Sequence, residues 1–360
     1  MSMEERYLYS LIQKRIMRKT VNSEELHSIY AKKYANWVVP FLKSHNVIDI
    51  PMLVCINTLQ RLPEYYIIGS DSVFICDYYL YDYLYDINYI LEKSDNNDYM
   101  INLWLKVYIE YLFLNGNYEL CYWFCLTSPD IETFKTTDNY KEQLLMEKLV
   151  DYTDIQEEIL FLHEATHYLF EMNKDEIKNG KMYRNIERLF DDFVSEHKKS
   201  EFISELLADP KFSKDDILEE CYCDAKSISY VAFKEIIERD MDSIEKYALI
   251  FNTIFSIYFL HYLMVEKNDS AEIFNDYHMK LLTYRCGNAY YILHSELSEH
   301  KREGEISYLN LAYERAKEEY VATGKRIRQL FDILGNKLEM DPFPYTENSY
   351  EYIKEFLLLQ

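Results

Sequence analysis

The sequence predicts a mostly α-helical protein with a small antiparallel β element, an α+β chain dominated by its helices. Two observations lead there. Glycine and proline contribute only 7 residues each to a chain of 360, and long stretches repeat their apolar residues at helical spacing. A third observation supplies the β element. In residues 65–77 the runs YYIIG and VFICD, rich in aromatic and β-branched residues, flank a Ser-Asp-Ser break, which is a hairpin pattern.

In chain order, residues 1–50 are expected to form one or two helices, with Lys14, Arg15, Arg18 and Lys19 on a solvated face. The hairpin follows. YELCYWFCLT at 118–127 fits either a strand or the end of a helix. From about residue 141 the helical signals strengthen. Thr153 with Gln156 has the spacing of a capping box that opens a helix running to about Met172, and Ser213 with Asp216 opens another over about 214–239. Further helices are expected over 242–266, 270–299 and 305–337. Pro342 and Pro344 mark the last twenty residues as an extended tail. The chain thus divides into an N-terminal helical region with the β element (1–140), a helical core (141–338) and a tail (339–360).

Tyr247–Val265 is a run of 19 residues without a formal charge, long enough to span a bilayer. Asn252, Thr253, Ser256 and His261 interrupt it, and its flanks show no Lys/Arg asymmetry. A buried core helix is the expectation and a membrane span the alternative.

Composition excludes several classes of function. The net charge of −23 opposes the positive field that nucleic acid or an anionic membrane requires, so neither is an expected partner. No two glycines lie close enough to build a P-loop or a dinucleotide-binding turn. Seven cysteines, an odd number in a chain this long, argue against a disulfide framework. The start, MSMEERYLYS, carries early acids and no apolar h-region, so a cytoplasmic protein is expected. The 36 tyrosines follow a general drift toward Tyr, Asn, Ile and Lys.

Chemistry concentrates in FLHEATHYLF, residues 161–170. On a helix His163 and His167, four apart, share a face and can reach one ion. Glu164 stands beside that ion, where its carboxylate can accept a proton from water. The pattern arises by chance in roughly two such chains per hundred. Here the helix is apolar on nearly every side, and two imidazoles and a carboxylate within one buried turn are costly unless something satisfies them. A third ligand is sought in LEECYCDAKSISY, residues 218–230. Glu220 borders the apolar stripe Ile217, Cys221, Ala225, Ile228 and Ala232, and Asp224 one turn later can fix a ligand histidine through its second N–H. Glu219 points about 100 degrees away. Cys221 and Cys223 are possible thiolate ligands, but their sulfurs are about 200 degrees apart and cannot both face one ion.

His163-Glu164-x-x-His167 followed by Glu220-x-x-x-Asp224 resembles the gluzincin metallopeptidases over about 62 residues. The resemblance implies a zincin-like helical core and one Zn2+ bound by His163, His167 and Glu220. It also implies Glu164 as general base, Asp224 orienting a histidine, and a protein or peptide substrate. Many gluzincins place an oxyanion-stabilising side chain downstream, and His278, Tyr284 and Arg285 in DYHMKLLTYRCG are the candidates. The layout also resembles the phage-exclusion peptidases, which would imply cleavage of a host protein during infection. A zinc-binding interaction protein without turnover and a membrane-embedded zinc protease are the competing expectations.

Overall fold

The structure is a computed structural model. It describes residues 23–56, 63–68, 71–77, 117–127, 140–197, 213–237, 276–318 and 348–353, together with 80, 81, 84, 85, 88, 109, 112, 113, 247 and 346. In chain order these form α1 (Ser23–Ser44), β1 (Met52–Ile56), β2 (Glu64–Ile68), β3 (Asp71–Asp77), α2 (Tyr118–Thr127), α3 (Tyr140–Met172), α4 (Lys174–Asn179), α5 (Lys181–Glu196), α6 (Lys214–Val231) and α7 (Asp276–Glu299). The protein is mostly helical, with a small sheet among the described residues. The basic segment around Lys14 lies outside the described residues.

The hairpin of 65–77 forms as β2 and β3, which pair antiparallel with Tyr65 opposite Phe74. The sheet is larger than the expected antiparallel element, however. β1 pairs parallel with β3, so the sheet is mixed and ordered β1-β3-β2. MLVCI is too short to announce itself, and its partner is reached only through the fold. Among the described residues, no strand pairs with the other edge of β2. The 118–127 segment is the helix α2.

α3 is the axis of the molecule. Its 33 residues contain neither glycine nor proline, so nothing halts it, and at 1.5 Å per residue it extends about 50 Å. The expected start at Thr153 is corrected, because the helix begins at Tyr140. Thr153 Oγ1 donates back to Leu149 O at 2.7 Å, and Gln156 exchanges hydrogen bonds with Asn88 at 2.7 and 3.1 Å. The capping-box residues are thus satisfied inside a continuing helix. The Ser213–Asp216 box does form and opens α6, with both of its reciprocal bonds present.

Phe161 anchors α3 to the N-terminal elements. Fully buried, it stacks on Tyr30 at 6.1 Å, meets Trp37 edge-on at 5.7 Å and packs on Phe74 of β3 at 5.2 Å. Burying such a ring contributes about 1.5–3 kcal/mol, and its position two residues before His163 fixes the rotation of the helix beneath the sheet. One turn earlier, buried Glu157 pairs with Lys33, whose ammonium lies 4.5 Å from the centre of the Tyr81 ring. α6 packs on α3 and α7, and Phe41 of α1 meets Tyr230 of α6 edge-on at 5.1 Å. A six-residue π-helix, Ala232–Ile237, extends α6, and its Lys234 binds Glu158 at 2.6 Å.

α1 and α7 end alike. Val47 N donates to Leu42 O and Arg302 N to Leu297 O, with Asn46 and Lys301 at φ 60° and 55° in the left-handed turn position. A helix over 303–318 follows α7. The last segment is corrected from extended to helical over 348–353. Thr346 N donates to Ser349 Oγ and starts the turn, and the Tyr350 ring packs on Phe113 at 5.7 Å and Tyr118 at 5.1 Å. Among the described residues no helix is long and apolar enough to cross a membrane. Of Tyr247–Val265 only Tyr247 is described, and it is buried. The helices expected over 242–266 and beyond 318 otherwise lie outside the described residues.

Candidate metal centre

Three elements converge on one face of α3. His163 and His167, one turn apart, bring their Nε2 atoms to 3.1 Å from each other. Glu220 of α6 meets both: Oε2 lies 3.5 Å from His163 Nε2 and Oε1 lies 3.4 Å from His167 Nε2. The ligand atoms of these three residues all fall within 4.8 Å of one another, a group that could hold a metal ion. Glu220 keeps 39 % of its side-chain exposure, so the group opens outward instead of being sealed in the core.

The outer nitrogens of both rings are taken by carboxylates on α6. His163 Nδ1 lies 3.0 Å from Asp224 Oδ1, and His167 Nδ1 lies 3.0 Å from Glu219 Oε1. With Nδ1 held by a carboxylate, each Nε2 is the nitrogen left to bind an ion at the shared point once it gives up its proton. Glu219 is the residue whose part sequence reasoning missed. It points away from the ligand position of Glu220, as the helix angle requires, but His167 lies one turn along α3 and comes within its reach.

α7 supplies the charge that balances these acids. Arg285, nearly buried, donates from Nε to Asp224 Oδ2 at 2.7 Å and from Nη2 to Glu220 Oε2 at 2.8 Å. Of the three downstream candidates, Arg285 alone among the described side chains binds residues of this group. The Tyr284 hydroxyl accepts from Asn288 Nδ2 at 2.7 Å, and its ring packs against Phe193 at 4.6 Å and Phe190 at 5.7 Å in a second apolar cluster. His278 lies on α7, but its side chain is outside the described residues. Cys221 belongs to the same second cluster and Cys223 is fully buried; neither joins the ligand group.

Glu164 faces the sheet. Its Oε2 accepts the backbone N–H of Tyr65, in β2, at 3.1 Å. The Tyr65 ring packs on Tyr168 of α3 at 5.2 Å and fixes the strand over the helix.

The environment drives the two glutamates apart. Burial pushes the Glu164 carboxyl upward, against the pull of His167 and His163. Glu220 also suffers burial, but Arg285, His163 and His167 outweigh it and hold the carboxylate well below its ordinary range. Burial works against a charged His163, yet hydrogen bonds to Asp224 and Glu220 lift its pKa to about 10. His167 is likewise raised, with Glu219 outweighing burial.

Comparison with protein-family models, with curated proteins and with solved structures finds no match.

Proposed function

We propose that the protein is a zinc-dependent peptidase of gluzincin type, with a zincin-like core built on α3 and α6. The carrying observation is the convergence of His163, His167 and Glu220, with Glu164 of the same helix bonded to the backbone N–H of Tyr65 in β2. The donor set fits the ion. Tetrahedral zinc with bonds of about 2.0–2.1 Å needs ligand atoms about 3.4 Å apart; the two Nε2 atoms lie 3.1 Å apart, each has a different Glu220 oxygen at 3.4 or 3.5 Å, and one atom from each residue falls within 4.8 Å of the others. Two imidazoles and one carboxylate leave a coordination position for chemistry. When bound, zinc supplies Lewis-acid activation of water and of the scissile carbonyl.

The chain's own residues do the rest. Glu164, with its raised pKa, takes the proton of the attacking water and returns it to the leaving amine. Glu220, held ionised by Arg285, would hold the ion together with His163 and His167. Asp224 and Glu219 fix the two rings by their Nδ1 atoms. A peptide or protein segment lies extended on the edge of β2 away from β3. Seven cysteines present as thiols fit a reducing, cytoplasmic setting.

The test is Glu164→Gln in the full chain. Zinc content stays at one per chain while cleavage of a peptide library falls about 10²–10⁴-fold. Zinc-loaded wild-type protein that cleaves nothing across the library would leave a binding protein in place of a peptidase.

A further inference from the structure

Two thiols face each other across the sheet. Cys55 of β1 and Cys76 of β3 are register partners on adjacent parallel strands, and their Sγ atoms lie 3.3 Å apart. Cys76 is fully buried, whereas Cys55 is half-exposed, the one cysteine of the seven that is not buried.

The geometry points to an oxidation site: hydroperoxides convert the Cys55–Cys76 dithiol into a disulfide that ties β1 to β3. Neighbouring strands place their Cα atoms about 4.8 Å apart, inside the range of about 4.4–6.8 Å that a disulfide accepts. From 3.3 Å the sulfurs need to close by about 1.2 Å to reach bonding distance, which side-chain rotation supplies without moving a strand. The other cysteines are excluded as first targets by burial; Cys121, for example, is closed off in the core with its sulfur donating to Ile109 O.

The order of events follows from exposure. Cys55 meets the oxidant first. Its sulfur attacks one peroxide oxygen, the O–O bond breaks, the alcohol or water leaves with a proton, and Cys55 becomes a sulfenic acid. Cys76 then attacks that sulfur. The S–S bond forms, the S–O bond breaks, and water departs with the Cys76 proton. Two electrons pass from the thiol pair to the peroxide. Burial first, then Cys55 and the acids Glu157 and Asp77, push the Cys76 thiol well up, which makes it the poorer first nucleophile of the pair. Disulfides of reducing compartments are transient and redox-sensing, in keeping with such a pair.

The site does not depend on the peptidase reading, and its test reads sulfur and not cleavage. The full chain is treated with one equivalent of hydrogen peroxide, unfolded and titrated for thiols. The count falls from seven to five, the intact mass drops by two hydrogens, and non-reducing peptide mapping links the Cys55 peptide to the Cys76 peptide. Dithiothreitol restores all three readings. Cys55→Ser abolishes the link. An unchanged thiol count, Cys55 halted at sulfinic acid, or a link between other cysteines overturns the assignment, and none of these readings requires a variant to fold.

Discussion

Arg285 and Asp224 form a buried ion pair, Nε to Oδ2 at 2.7 Å, and the same guanidinium extends to Glu220 at 2.8 Å. One side chain on α7 thereby joins the carboxylate that fixes His163 to the carboxylate in the ligand group. Arg285→Met removes the guanidinium that the two acids share. Breaking a buried pair from one side costs about 3–5 kcal/mol, and urea unfolding of the metal-free protein should show a loss of that size. Arg285→Lys keeps the charge but not the fork, and falls between. Wild-type stability in Arg285→Met would contradict this role.

Glu219 and His167 give a second test. Removing the acceptor at Nδ1 frees the ring to turn and to change tautomer. Glu219→Ala should weaken zinc binding about 10–100-fold, while Glu219→Gln, which keeps an acceptor oxygen, loses less. Competition with a chromophoric chelator measures both. Equal affinity in Glu219→Ala and wild type would remove Glu219 from the centre.

His163 predicts a direction for pH. In the metal-free chain its pKa stands at about 10, against about 6.5 when unfolded. The raised value means that the bound proton favours the fold. This contribution is complete below pH about 6.5 and disappears as pH climbs through about 10. A metal must displace that proton, so zinc affinity rises with pH over the same window, and binding near neutrality releases protons. Calorimetric titrations in two buffers of different ionisation enthalpy should give different heats, and identical heats would refute proton displacement.

Lys301 concerns stability alone. It is exposed and holds φ 55° at the end of α7. A side chain in that conformation costs about 1–2 kcal/mol, partly offset in glycine by about 0.5–1 kcal/mol of unfolded-chain freedom. Lys301→Gly should therefore stabilise the protein by about 0.5–1 kcal/mol and raise its Tm, as calorimetry can read. A fall in Tm would show that the lysine side chain makes a contribution larger than the strain.

Short-range patterns were legible in the sequence. The i, i+4 spacing suffices to put His163 and His167 on one face, the Ser213–Asp216 pair to start α6, and the two aromatic and β-branched runs to set β2 beside β3, although Asp71 and Ser72 of the expected break belong to β3, opposite Ile68 and Ile67. What escaped depends on distant partners. β1 is five residues whose pairing with β3 crosses the chain, so local alternation does not reveal it. Thr153 and Gln156 have the spacing of a helix start, yet Asn88, 65 and 68 residues away in sequence, satisfies them inside one. Arg285 reads as one of three oxyanion candidates, and only the fold sets it against Asp224, 61 positions earlier. Glu219 was judged by where Glu220 points, whereas its partner sits one turn further along the facing helix.

The bond from Tyr65 N to Glu164 Oε2 has a consequence for access. A single amide hydrogen serves one acceptor well. Any extended chain that adds to the outer side of β2 at this register must take Tyr65 for itself, and in doing so it unhooks Glu164. The resting molecule thus keeps its carboxylate moored to the very strand a visitor would occupy, and docking and release become one event.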